Sequence, residues 1–266
     1  MKIRMFQVDA FSDNLFGGNP AAVCILDQWL DDSLMLRIAE ENNLSETAFV
    51  LKKKKNYEIR WFTPKVEVDL CGHATLATGH VLFKYYDIRQ NEITFINPYS
   101  GILKVKKENE YLVLDFPTGE FQKTSTPPEL IKGLRKKPIE TYKGNTDYMA
   151  IFSTQEDIEN VNPDFQLLNE LNARGIIITA KGNDVDFVSR FFAPQCGINE
   201  DPVTGSAHTI LTPYWSKKLK KQELVAMQLS KRNGVLKCRM NNNRVIISGM
   251  AITYLIGELE IPYQDI

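Results

Sequence analysis

Glu46, His73 and Asp201 are the side chains whose type and setting suit them to move protons. Glu46 stands in Asn43-Leu44-Ser45-Glu46-Thr47-Ala48-Phe49, at the head of an apolar run that reads as a strand. A carboxylate there is either the solvent-facing member of an alternating pattern or a partly desolvated acid. In the second case its raised pKa lets it take and return a proton near neutral pH. His73 follows Gly72 at the start of a long run of small and apolar residues. It is either a helix-terminal histidine without a role or a donor to a bound molecule. Asp201 lies in Glu200-Asp201-Pro202-Val203-Thr204-Gly205-Ser206-Ala207. It can shape a turn, cap a helix, or orient His73 or a substrate, and spacing alone leaves these open. Cys71, directly before Gly72, is either packing or a thiol made acidic by a helix N-terminus.

These residues belong to elements that occur twice. Arg60-Trp61-Phe62-Thr63-Pro64 is echoed by Arg190-Phe191-Phe192-Ala193-Pro194. After each copy comes a polar loop, then a glycine opening an apolar helix-like run. The first is Cys71-Gly72-His73-Ala74 and the second is Thr204-Gly205-Ser206-Ala207, reached by a longer loop. Upstream, the helix-then-strand pattern of residues 31–50 resembles that of 162–179, which would set Glu46 opposite Ile177. Such self-similarity predicts a duplicated protein, and a site in a cleft between the halves. Helices starting at Gly72 and Gly205 would offer unpaired N–H groups and a positive dipole end to a carboxylate.

The coarse pattern supplies strands at 3–8, 21–26, 46–51, 57–62, 92–95, 102–106 and 111–116. It supplies helices at 31–41, capped by Asp31 or Asp32, and at 72–86. A Pro/Thr/Ser-rich stretch at 123–128 marks the change of domain. The first half is read as 1–118, to which the last few residues are also assignable, and the second as 119–266.

Bulk composition narrows the function. With 32 basic and 33 acidic residues, nothing global favours nucleic acid or an anionic membrane surface. No run is apolar and long enough to span a bilayer, and the N-terminus lacks a signal-peptide pattern, so a cytoplasmic location is expected. The four cysteines form no CxxC pair, and three histidines are too few for a histidine-built metal centre, so no metal is expected. No nicotinamide fingerprint or phosphate loop appears, so no cofactor is expected.

Four motifs in order then resemble those of the PhzF (phenazine-biosynthesis-like) family: Gly17-Gly18-Asn19-Pro20-Ala21-Ala22-Val23, Asn43-Leu44-Ser45-Glu46-Thr47, Cys71-Gly72-His73-Ala74-Thr75-Leu76, and the segment Glu200 to Ala207. The likeness continues to Gly257-Glu258-Leu259 and so covers essentially the whole chain. It implies an α+β, diaminopimelate epimerase-like fold. In that fold two similar domains each wrap an antiparallel sheet around a central helix, with the active-site cleft between them. It implies a cofactor-free isomerase, as in the characterised member that isomerises dihydro-hydroxyanthranilate. Glu46 would shuttle the proton, supported by His73 and Asp201. Ser206, Gly72, Gly205 and Asn19 would bind a small carboxylated metabolite, and the chain would form a homodimer. Two alternatives stay open. One is an amino-acid racemase or epimerase, although the position matching Cys71 is Thr204, a far weaker acid. The other is a non-catalytic metabolite-binding protein on the same scaffold.

Overall fold

The computed structural model describes residues 1–86 and 88–262. The chain divides into two compact units, one comprising Met1–Asp115 and the stretch from Ser248 onward, the other Phe116–Ile247.

In the first unit the elements are β1 (Lys2–Ala10), β2 (Asn19–Leu26), α1 (Asp32–Asn42), β3 (Glu46–Lys53), β4 (Asn56–Phe62), β5 (Glu67–Val68), α2 (Gly72–Tyr85), β6 (Glu92–Asn97), β7 (Gly101–Glu108) and β8 (Tyr111–Pro117). The second continues with β9 (Phe121–Thr124), α3 (Pro128–Leu134), β10 (Glu140–Gly144), β11 (Asp147–Ile151), α4 (Gln155–Glu159), α5 (Phe165–Asn169), β12 (Gly175–Lys181), β13 (Phe187–Ala193), β14 (Ile198–Asp201), α6 (Gly205–Leu219), β15 (Glu223–Gln228), β16 (Gly234–Asn241) and β17 (Arg244–Gly249). The last strand, β18 (Ala251–Glu260), pairs antiparallel with β1 of the first unit.

The two units repeat one sequence of ladders. β1–β2 is antiparallel, β2–β3 parallel, β3–β4 antiparallel, β4–β6 parallel and β6–β7 antiparallel. In the second unit β10–β11, β11–β12, β12–β13, β13–β15 and β15–β16 follow the same alternation. Each unit is therefore α+β with a mostly antiparallel sheet that carries two parallel ladders. Each parallel ladder needs a crossover, and helices supply it. α1 bridges β2 to β3, and α2 bridges β4 to β6; α4 with α5, and α6, do the same in the second unit.

Sequence explains why α2 and α6 lie inside. α2 is small and apolar on every side, and His73, Ala74, Thr75, Leu76, Ala77, Thr78, Gly79, Val81 and Leu82 are all buried. Its threonines close their hydroxyls onto their own helix, Thr75 onto Cys71 O and Thr78 onto Ala74 O, so neither buried hydroxyl is stranded. α6 carries Pro213, which cannot donate to the carbonyl of Thr209. That carbonyl instead accepts from the Gly119 amide at 3.1 Å.

The shared arginine motif ties the short strands in place. Arg60 forks onto Glu67 of β5 with two bonds of 2.6 Å and lies over Phe62. Arg190 forks onto Glu200 of β14 at 2.7 and 2.9 Å and lies over Phe192. Asp32 is bound by Arg60 at 2.7 Å, and Asp31, at the N-cap of α1, makes no side-chain cap bond, so the capping expected of this pair is not what holds the helix start.

Candidate active site

Strand register fixes which residues of the two units correspond. Arg60 faces Phe49 on β3, and Arg190 faces Ile178 on β12. Counting back along both strands sets Glu46 opposite Gly175, not Ile177 as the sequence alignment suggested. The β2–β3 and β11–β12 ladders agree, pairing Ala21 with Glu46 and Asp147 with Gly175. The misalignment arose because one helix, α1, is replaced by two short ones, α4 and α5, of different total length. At Gly175 a side chain would meet the Phe191 ring at 2.2 Å, so only glycine fits where the first unit carries its acid.

In the first unit Glu46, His73, Asn19 and Cys71 come together. Glu46 begins β3, Asn19 begins β2, Cys71 is the N-cap of α2 and His73 sits in its first turn. Glu46 Oε2 and His73 Nε2 approach to 3.3 Å without hydrogen-bond alignment. Catalytic contacts of this kind commonly tighten only around a bound molecule. On the other side of the ring, His73 Nδ1 meets Asn19 Nδ2 at 3.4 Å and Cys71 Sγ at 3.5 Å. The Asn19 amide nitrogen can only donate, and the thiol can play either part, so with the amide in this orientation Nδ1 accepts and the ring proton sits on Nε2, facing Glu46. Burial pushes the His73 pKa down to about 3, which keeps the ring neutral near neutral pH. Glu46 retains 14% of its side-chain surface exposed, enough for a carboxylate oxygen to reach a bound molecule.

Asn19 is placed by the turn before it. Gly18 has φ +62, and an added Cβ would lie 2.1 Å from Ala10 O, so this position requires glycine. Buried Asp9 accepts from the Phe16 amide at 2.9 Å and anchors the same loop.

The second unit holds Asp201, Gly205 and Ser206. Asp201 ends β14 and faces Phe191, in the place Val68 takes opposite Trp61. Its carboxylate accepts from the Thr204 hydroxyl. Buried Gln228 accepts from the Thr204 amide at 2.9 Å and donates to Asp201 O at 2.7 Å. Gly205 starts α6 behind the N-cap Thr204, and Ser206, the counterpart of His73, lies in its first turn. Neither Cys71 nor Thr204 caps its helix with its side chain.

Sequence reasoning missed one partner in this unit. Arg174, just before Gly175, binds Asp147 through two nitrogens and reaches Ser206 Oγ at 3.2 Å. Thus each unit links its strand start to its helix start: carboxylate to imidazole in the first, guanidinium to hydroxyl in the second. The only hint in the sequence was Asp147, a charge at the head of an apolar run.

The sequence model of the PhzC-PhzF phenazine biosynthesis-like proteins matches residues 8–257. The chain belongs to the PhzF family. Among its relatives is an uncharacterised isomerase of Pseudomonas aeruginosa, 48% identical over 261 residues that span 98% of this chain and 100% of that protein. A PhzF-family crystal structure from Enterococcus faecalis superposes with a TM-score of 0.95 at 46% identity, covering 98% of this chain and 100% of that one. A hydroxyproline epimerase from Agrobacterium vitis shares the fold alone, with a TM-score of 0.62 at 8% identity over 97% of this chain and 92% of that one. The PhzF chain thus has an epimerase-like architecture and relatives named as isomerases. Among its described residues no helix is long and apolar enough to cross a membrane.

Proposed function

We propose that this chain is a cofactor-independent isomerase that moves a proton between carbons of a small cyclic or unsaturated carboxylic acid. The observation that carries it is the 3.3 Å approach of Glu46 Oε2 to Nε2 of His73, whose burial keeps the ring neutral. Glu46 takes the proton from one carbon and returns it to another, so one group serves as base and then as acid. Loss of the proton builds negative charge on the conjugated acid. The first-turn amides of α2 and a neutral imidazole donor are groups able to stabilise such charge. Asp201, Ser206, Gly205 and Asn19 belong to the same proposal as supporting and substrate-binding residues. A cytoplasmic homodimer is its expected form.

A second reading, an amino-acid racemase, is favoured by the Cys71 Sγ contact with His73 Nδ1. Two opposed acids are needed for it, and the counterpart of Cys71 is Thr204, whose hydroxyl donates to Asp201.

Solvent deuterium exchange into candidate cyclic and unsaturated acids separates these readings. The isomerase predicts exchange that falls by about 10²–10⁴-fold in Glu46→Gln and survives in Cys71→Ser. Loss in Cys71→Ser with exchange retained in Glu46→Gln establishes thiol chemistry instead. A ligand that binds without any exchange establishes a binding protein.

A further inference from the structure

Arg174 has no part in the proton transfer proposed above, yet it is fixed from several sides. It binds buried Asp147 through Nε and Nη2, and Nη2 also reaches Ser206 Oγ at 3.2 Å. The Phe191 ring lies 5.5 Å from its guanidinium carbon, and its backbone amide donates to Thr146 O at 2.7 Å. A fork pinned in this way presents its remaining N–H groups in one orientation.

The fold forms without this ion pair. In the first unit Ala21 and Ser45 stand in the places of Asp147 and Arg174, and the parallel ladder keeps the same register there. A guanidinium can only donate. Ser206 Oγ therefore accepts from Arg174, and its own hydrogen, which has no acceptor among the described residues, is left to donate. We propose that Arg174 is a positioning residue, which makes the Ser206 hydroxyl a fixed donor to a carboxylate oxygen of the substrate.

The neighbouring groups agree with that ligand. The first-turn amides of α6 donate, and so does Arg174 Nη1, whose two N–H groups have no partner among the described residues. Such a set takes an acceptor-only group, which a carboxylate is and a carboxamide is not. Asp147 offsets the charge of Arg174, so the arginine contributes direction more than net attraction. Without it the hydroxyl is free to turn its hydrogen back onto a carbonyl of the preceding turn. The role in turnover rests on the isomerase reading; the direction of the hydrogen bond does not.

Benzoate, a cyclic unsaturated acid that cannot isomerise, is the probe, and benzamide is its neutral control. In ¹H–¹⁵N spectra of the full chain, benzoate should shift the Ser206 and Ala207 amides saturably, and benzamide should bind about tenfold more weakly or worse. Arg174→Met and Ser206→Ala should each weaken benzoate by about tenfold. Because one residue acts through the other, the double variant should stay near that loss, whereas independent contacts would give about a hundredfold. Arg174→Lys keeps a cation beside Asp147 but not the fork. It should recover part of the affinity, and it takes the place of Arg174→Met in the cycle if that variant does not fold. Arg135→Lys, at an exposed ion pair of the same unit, should change nothing. Benzoate that leaves the Ser206 amide unmoved, benzamide that binds equally well, or losses that add in the double variant overturn the proposal. In deuterium exchange the same variants should raise KM far more than they lower kcat. Exchange that depends on Glu46 but ignores Arg174→Met overturns the positioning role and leaves the isomerase standing. Coupled benzoate binding without exchange into any acid does the reverse.

Discussion

At the residue scale the decisive feature is where one proton sits. Asn19 and Cys71 both approach His73 Nδ1, and this directs the ring N–H to Glu46. Asn19→Asp reverses that arrangement at almost constant volume. A carboxylate beside Nδ1 accepts rather than donates, so the proton moves to Nδ1 and Nε2 becomes an acceptor facing Glu46. Two carboxylates around one ring also favour imidazolium, so the His73 pKa rises from its low value. The ¹⁵N chemical shifts of the ring should exchange character between the two nitrogens, and exchange activity should drop by about 10²-fold or more. An unchanged nitrogen pattern with activity intact would show that Asn19 does not set the tautomer. Glu46, His73 and Asp201 stood out in the sequence for their settings: a charge heading an apolar strand, a histidine just after a helix-opening glycine, and an acid in the loop before the second such glycine. The contacts of Arg174 and Gln228 were not legible there, because they join residues distant in sequence and leave no periodic trace.

At the element scale α2 must sit at one depth for His73 to meet Glu46. Gly79 sets that depth, since a Cβ there would lie 2.6 Å from Val105 Cγ1 of β7. Gly79→Ala gains helix propensity but overpacks a fully buried contact, and overpacking wins by about 1–3 kcal/mol. Val105→Ala alone opens a cavity and also destabilises. The double variant should recover part of the loss, giving a coupling of about 1 kcal/mol or more in urea titrations. Simple additivity would place the helix contact elsewhere. Elements of this kind read well from sequence. Residues 72–86 were read as helix and α2 spans Gly72–Tyr85, because a long small-residue run leaves no other solution. The segment before β12 read poorly. Its leucines suggested one helix, whereas Thr154 and Asp164 each start a separate short one with a side-chain cap.

At the scale of the whole chain the duplication was visible in paired motifs, and the last few residues were assignable to the first half, but their pairing with β1 was not legible, because hydrophobic alternation does not name a partner. One consequence of folding concerns all three histidines of the sequence. Burial lowers the pKa of His73 to about 3, and those of His80 and His208 to about 4. In the unfolded chain each titrates near 6.5, so on acidification the unfolded state binds protons that the folded state refuses. Stability is therefore full above about pH 6.5 and falls as the pH drops towards about 4, where the native rings begin to accept protons. At about 1.4 kcal/mol per unit, fully buried His208 alone removes about 3 kcal/mol across that window, a large share of an ordinary domain's stability. His208 Nδ1 contacts Thr204 O at 2.9 Å, a bond the amide of an asparagine can replace. Urea midpoints measured from pH 7 to pH 4.5 should fall less steeply in His208→Asn than in the native protein, with little difference in m-value. Parallel slopes would mean that His208 takes up its proton in the folded state, and that acid sensitivity resides in the carboxylates instead.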